Sequence, residues 1–355
     1  MINVVIDNII YYLQGTAGIS VYFNEITKRF LADERFCVKL IDRPEKANVL
    51  RDELKTENIE LLTKPVLKLA RYLPVKQKSD SRYYFISSYY RFTNDKNATN
   101  VTVVHDFTYE KKVKGVKRFV HHWQKKQAIK KSDIIICISH NTKKDLLYYF
   151  PWAAEKKIFV IHNGVGDVYR PLENDCFLTL PANFPKKYLL FVGGRGGYKN
   201  FDKCVQALSY FSDDYGLLVV GGDWNDSEKE LIKAYGHRIH LVKYPDKEQL
   251  NRIYNSAFCL LYPSSYEGFG IPVVEAMRAG CPVVALNMSS IPEIAGDAAI
   301  LSDKSDGLSL YKSVKILEDD YLRQSYIDKG KQRSKLFSWN ICYQQFAEIL
   351  TDNLL

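Results

Sequence analysis

In 355 residues, apolar runs of strand length alternate with longer helix-patterned segments, and the series runs twice. Residues 2–6, 37–41, 83–87, 101–104, 133–138 and 158–161 form the first set, and 188–193, 216–222, 239–244, 257–263 and 281–286 form the second. Near-continuous apolar strands alternating with helices predict parallel sheets covered on both faces, an α/β architecture. Two series in one chain predict two domains, 1–168 and 169–335, of ordinary domain size. Between them, residues 162–187 are rich in Gly, Pro and Asn without periodicity and read as a linker. The last segment, 336–355, sets Trp339, Ile341, Tyr343, Phe346, Ile349 and Leu350 near one face of a helix. Two open sheets gather ligands outside the carboxyl ends of their strands, so a cleft between the domains is the expected site.

Apolar residues at 46% and charged residues at 26% exclude a disordered chain. The opening MINVVIDNIIYYLQG has no basic leader and carries Asp7 inside the apolar run, so it reads as a first strand and not a signal peptide. No apolar run reaches the roughly 18 residues of a spanning helix. Cysteines 37, 137, 176, 204, 259, 281 and 342 form no C-x-x-C pair and read as reduced core thiols of a cytoplasmic protein.

The net charge of +9 is uneven: residues 1–168 hold 29 Lys+Arg against 18 Asp+Glu, a balance of +11, and the remainder 21 against 23, a balance of −2. The first domain is therefore expected to face something anionic. Residues 111–131 carry nine Lys+Arg among Val113, Val116, Phe119, Val120, Trp123 and Ile129, and residues 64–78 repeat the mixture. One reading is a peripheral surface for anionic lipid on the inner face of the cell membrane. The other packs the apolar face on the sheet and leaves the lysines solvated. No nucleic-acid-binding motif accompanies the charge, so nucleic acid is not an expected partner.

Two loops carry chemistry. The run 188–192 leads into Gly193-Gly194-Arg195-Gly196-Gly197-Tyr198-Lys199-Asn200 and a helical pattern from Phe201. Glycines permit close backbone approach, a helix N-terminus offers N–H donors, and two cations add charge, which together suit a diphosphate. Neither a Walker loop nor G-x-G-x-x-G is present, and a plain glycine-rich turn is the alternative. In the second loop, Tyr262 to Gly280, Pro272 fits a first helical turn and Gly280 its C-terminal cap. Glu267 then lies at a helix N-terminus and Glu275 about one turn inside. A carboxylate there matches two sugar hydroxyls, or is simply favoured by the helix dipole.

Glu267 and Glu275, in E-G-F-G-I-P-V-V-E, resemble the E-x7-E motif of the retaining glycosyltransferases of family 4. V-G-G-R-G-G-Y-K-N resembles that family's Arg and Lys diphosphate clamp, and residues 289–301 resemble the stretch after the motif. His105-Asp106, Ser139 after I-I-I-C-I, and His162-Asn163-Gly164-Val165 fall in family order, so the likeness covers most of the chain. Within the family it is similar to bacterial mannosyltransferase-like enzymes of surface polysaccharide assembly.

The resemblance implies a GT-B fold: two Rossmann-like domains facing across a cleft, with the terminal helix crossing back to the first. It implies retaining transfer of mannose or a related hexose from a nucleotide diphosphate sugar, GDP favoured over UDP, to a glycan or lipid-linked acceptor in polysaccharide or lipopolysaccharide synthesis. Domain 1–168 would bind acceptor and 169–335 the donor. Arg195 and Lys199 would hold the diphosphate beside Gly194. Glu275 would take the ribose, and Glu267 would face the donor sugar, with amides from Gly268, Phe269, Gly270 and Ile271. His105 would approach the reacting sugar, as a positioning residue or a base, with Asp106 and Ser139 on the acceptor side. Gly15 and Gly18 would lie near the phosphates, although Ala17 stands where the family commonly has glycine. No D-x-D pair occurs, so neither a metal nor another cofactor is expected beyond the donor. The competing readings are a sugar-nucleotide epimerase and a non-catalytic nucleotide- or glycan-binding subunit.

Overall fold

The computed structural model describes residues 1–173 and 180–353; part of the expected linker, with Cys176, and the last two residues lie outside them. The chain divides into two compact units, one formed by Met1–Gly164 with Trp339–Leu355, the other by Val165–Ser338.

The first unit is a seven-stranded sheet: β1 (Ile2–Asp7), β2 (Phe36–Asp42), β3 (Ile59–Leu61), β4 (Tyr83–Ser87), β5 (Ala98–Val104), β6 (Ile134–Cys137) and β7 (Lys157–Val160), in the order β3-β2-β1-β4-β5-β6-β7. The second holds β8 (Lys187–Val192), β9 (Tyr215–Gly221), β10 (Ile239–Lys243), β11 (Cys259–Tyr262), β12 (Val283–Leu286) and β13 (Ile300–Ser302), in the order β10-β9-β8-β11-β12-β13. Neighbouring strands are parallel throughout, with Val4 opposite Val38 and Tyr84 in the first sheet and Leu190 opposite Leu218 and Leu260 in the second. Each sheet reverses its winding once, between β1 and β4 and between β8 and β11, which are the places where open α/β sheets leave a crevice. These are two Rossmann-like units of a GT-B fold.

The sequence pattern missed β3 and β13. Both are three-residue edge strands, and β3 is largely exposed, so neither needs the apolar run that marks a central strand. One cysteine also differs from expectation. Five of the six described thiols are buried, but Cys37 is exposed because it alternates with buried Phe36 and Val38 along β2.

The terminal helix, Trp339–Asp352, buries Trp339, Cys342, Tyr343, Phe346, Ala347 and Leu350. The expected face is therefore rotated: Ile341 is exposed, while small Cys342 and Ala347 fill the stripe. Phe30 meets Tyr343 and Phe346 edge-on at 5.0 and 5.5 Å, and the Tyr84 hydroxyl donates to the Leu350 carbonyl at 2.7 Å. Burying a side chain such as Phe346 contributes about 1.5–3 kcal/mol, so this helix is an integral part of the first unit. Among the described residues no helix is long and apolar enough to cross a membrane.

Candidate donor site

Because β8 and β11 are parallel neighbours, the loops that follow them leave the same carboxyl end of the sheet, at the winding reversal. After β8 the chain turns through Gly193 at φ +120°, makes a short 3-10 turn, Gly197–Lys199, and enters the helix Phe201–Leu208 through left-handed Asn200. After β11, Gly270 at φ +102° opens the helix Ile271–Ala279, and a Cβ there would lie 2.6 Å from Ile291 Cδ1. Both the backbone angle and the space demand glycine.

Side chains lace the loops together. Asn200 Nδ2 donates to the Pro263 carbonyl at 2.7 Å, and the Ser265 amide and hydroxyl both donate to the Tyr198 carbonyl, at 2.8 and 3.0 Å. From the loop after β12, Ser289 Oγ accepts from the Glu267 amide at 3.0 Å and donates to its carbonyl at 2.6 Å, while Ser290 Oγ donates to the Phe269 carbonyl at 2.9 Å. The Phe269 ring itself is buried against Phe337, so only its backbone is offered to the loop.

This lacing brings Lys199 and Glu267 into an ion pair, their side chains 15% and 13% exposed. Tyr262, the last residue of β11, donates its hydroxyl to Glu267 Oε1 at 2.7 Å, and Lys199 Nζ lies 3.3 Å from the same hydroxyl. Burial and the adjacent Glu267 keep this phenol protonated, so it acts as a donor. Glu275 is separate: its Oε2 accepts from Tyr254 at 2.9 Å, and Tyr169 also bonds to it. Burial pushes the Glu275 carboxyl above the usual range, opposed by those two phenols.

Arg195 does not join Lys199. Its guanidinium pairs with Glu228 at 3.0 Å, donates to the carbonyls of Gly222 and Asp223 at 3.1 and 2.7 Å, and lies over the Trp224 ring at 4.5 Å. Gly194 is exposed, with nothing within 4 Å of where a side chain would begin.

In the first unit, His105 follows β5 and is buried, its ring edge-on to Tyr22 at 5.0 Å and Phe23 at 5.9 Å. Burial lowers its pKa to about 4, so the imidazole is neutral at pH 7, and its Nε2 has no hydrogen-bond partner among the described residues. Asp106 accepts from the Thr108 amide at 3.0 Å, just ahead of the short helix Thr108–Lys112. Ser139 is fully buried and caps the helix His140–Tyr149, accepting from the Thr142 amide at 3.0 Å. Gly15 lies in the exposed turn that leads into the helix Gly18–Ala32, and Gly18 is the exposed first residue of that helix, where Ser20 Oγ accepts from the Ala17 amide at 3.0 Å.

Sequence reasoning did not single out Tyr262, Tyr254, Tyr169, Glu228 or Ser289. Tyr262 carried the one usable signal, its place at a strand end five residues before Glu267; the others reach their partners from distant parts of the chain. Among the described residues, no three His, Cys, Asp or Glu side chains gather as a metal site.

Residues 180–333 match the family Glycosyl transferases group 1 and residues 79–167 match Glycosyltransferase Family 4. The two matches follow one another along the chain, Glycosyltransferase Family 4 first and Glycosyl transferases group 1 second. It is 28% identical over 231 residues to O-antigen chain mannosyltransferase B of Escherichia coli, a match covering 62% of this chain and 60% of that protein. It is 27% identical over 202 residues to O-antigen chain mannosyltransferase RfbU of Salmonella typhimurium, covering 54% of this chain and 53% of that one. The chain thus spans less than two thirds of these relatives. In fold it is similar to sucrose-phosphate synthase from Thermosynechococcus elongatus, with a TM-score of 0.76 at 19% identity over 99% of both chains.

Proposed function

We propose that this protein is a retaining glycosyltransferase that moves mannose or a related hexose from a nucleotide diphosphate, GDP by preference, to a glycan or lipid-linked acceptor of cell-surface polysaccharide. The observation that carries this reading is the assembly of Lys199, Glu267 and Tyr262 at the winding reversal of the second sheet. Lys199 meets the charge that develops on the leaving diphosphate, where a preorganised cation is worth most. Arg195 reaches the diphosphate by exchanging Glu228 for phosphate oxygens. Glu275 takes the ribose hydroxyls, and Glu267 orients the donor sugar.

Glu267 Oε1 is tied by an ammonium and a phenol, which makes this carboxylate a poor nucleophile. That favours front-face retention, with the leaving phosphate assisting deprotonation of the acceptor, over a covalent sugar intermediate. His105 contributes a neutral hydrogen-bonding group to the reacting sugars.

Titration calorimetry against GDP, UDP, GDP-mannose and UDP-sugars, with wild type and Arg195→Ala, tests the donor assignment. Selective binding of a GDP compound, weakened in the variant, supports it. No binding of any nucleotide overturns it and moves the non-catalytic reading ahead.

The same proposal places the first unit on an anionic membrane. The helix Val116–Lys131 packs through His121, Gln124, Lys125, Ala128 and Ile129 and leaves Val116, Phe119 and Trp123 exposed among its lysines. In residues 64–78, Val66, Leu69 and Leu73 are exposed as well. The two stretches touch, since the Gln124 amide donates to the Arg71 carbonyl. Aromatic and aliphatic side chains beside basic ones suit the interface of acidic lipids. The protein is expected to float with acidic-lipid vesicles at low salt and to stay in the bottom fraction when Phe119 and Trp123 are both changed to Ser. Sedimentation of wild type away from the vesicles at low salt would discard the lipid surface.

A further inference from the structure

Lys125 is fully buried in the middle of a helix whose other lysines are mostly exposed. Its ammonium donates to the Asp106 carbonyl at 2.7 Å and to Glu110 Oε2 at 2.9 Å, and lies 4.0 Å from the centre of the Phe107 ring. The Glu110 side chain is equally buried, and its other oxygen, Oε1, has no hydrogen-bond partner among the described residues. His121 and His122 stand 4.0 and 3.7 Å from that oxygen, beyond hydrogen-bond length. Among the described residues the ammonium makes the hydrogen bond to the buried carboxylate, and the two imidazoles stand beside its other oxygen.

Such a pair is costly to desolvate, and apolar residues of similar volume often serve a fold as well or better. Packing alone does not account for it. What the ammonium grips is the carbonyl of Asp106, the residue after His105. Tyr90 borders the same stretch, with the Lys125 ammonium 5.4 Å from the centre of its ring. Tyr90 lies in the loop after β4 at φ +34°, a left-handed angle that a bulky residue keeps only where its surroundings enforce it. The imidazole is wedged by Tyr22 and Phe23, and Tyr22 is in turn edge-on to Trp339 of the terminal helix at 5.9 Å. Among these ties one buried polar atom, His105 Nε2, is left without a partner.

We propose that Lys125 and Glu110, with Tyr90, are positioning residues that fix the His105 backbone so that Nε2 is presented to a hydroxyl of the reacting sugars. The sugar ligand rests on the glycosyltransferase reading above; the clamp itself is a property of the first unit. None of the three touches the ligand, and each acts through His105. Their value is preorganisation, because a hydrogen-bonding group displaced by even an ångström loses most of its effect on a reaction.

The test is the double variant Lys125→Met with Glu110→Gln, which removes both charges together and leaves no buried ion unpaired; thermal unfolding establishes that it folds. Three quantities are compared with wild type: GDP-mannose affinity by calorimetry, GDP release from GDP-mannose, and the nitrogen and carbon NMR signals of the His105 imidazole at pH 7. The expected result is unchanged donor affinity, GDP release lowered about tenfold or more, and His105 signals moved from one fixed tautomer toward an average. Restoring Lys125 and Glu110 together returns all three values. A folded variant with wild-type GDP release and wild-type His105 signals overturns the clamp. Failure of wild type to bind GDP-mannose counts against the donor assignment instead, and the His105 signals then decide the clamp by themselves. A purely structural pair would change the unfolding temperature and leave the imidazole signals where they were.

Discussion

Replacing Lys199 by alanine is expected to lower sugar transfer by about 10²–10³-fold, the loss typical of removing one preorganised group that meets developing charge. Asn200 and Ser265 tie the segments after β8 and β11 together, so the Lys199 ammonium is delivered to a fixed place beside Glu267 and Tyr262. A cation already oriented spends little reorganisation when charge builds on a leaving diphosphate. The pair keeps some contact with solvent, so its loss should cost the fold little, and unfolding by heat separates that effect from the loss of rate. Lysine is a compact point charge on a flexible stem, and arginine would bring a wider planar fork into a site shaped by Tyr262, so Lys199→Arg should restore only part of the rate. GDP release under single-turnover conditions is the measurement. A wild-type rate in Lys199→Ala would remove Lys199 from the diphosphate.

Glu275→Ala should weaken donor binding by about 1–3 kcal/mol, the value of a buried hydrogen-bond set lost with its acceptor. It should also destabilise the second unit, because Tyr254 and Tyr169 would lose the carboxyl they bond to inside the protein. These two effects can be told apart. Tyr254→Phe removes a phenol and leaves the carboxylate for the ribose, so it should lower the unfolding temperature while changing nucleotide affinity much less. Calorimetry with GDP on both variants decides the point. If Glu275→Ala bound GDP as wild type does, the ribose assignment would be lost and Glu275 would remain a partner for two tyrosines.

Much of the architecture was legible because it is written in local pattern. The runs 188–193 and 257–263 are apolar on both faces, as central parallel strands must be, and both became strands of the second sheet. Pro272 and Gly280 announced a helix start and stop, and the structure places Pro272 in the first turn and left-handed backbone at Gly280. What escaped was long-range pairing. Nothing within a few residues of Arg195 says that Glu228 will take its guanidinium, or that the two arms of the expected clamp will part. Both readings of residues 111–131 kept all nine cations on the surface, yet Lys125 is buried, while Phe119 and Trp123, which one reading packed on the sheet, are exposed. Composition fixes neither choice. Which face of that helix turns inward is decided by Glu110, Phe107 and the sheet beneath them.

The first unit is discontinuous in sequence, since Trp339–Leu355 belongs to it while Val165–Ser338 forms a body of its own. A ribosome emits the second unit complete before the helix that finishes the first. During synthesis the earlier sheet must therefore wait with the site for Phe346 and Leu350 uncovered, a stretch of apolar surface open to chaperones and to other nascent chains. Yield in the cell should then depend on how fast ribosomes cross the second half of the message. Joining the terminal helix ahead of residue 1 through a flexible linker would let the first unit close as it emerges.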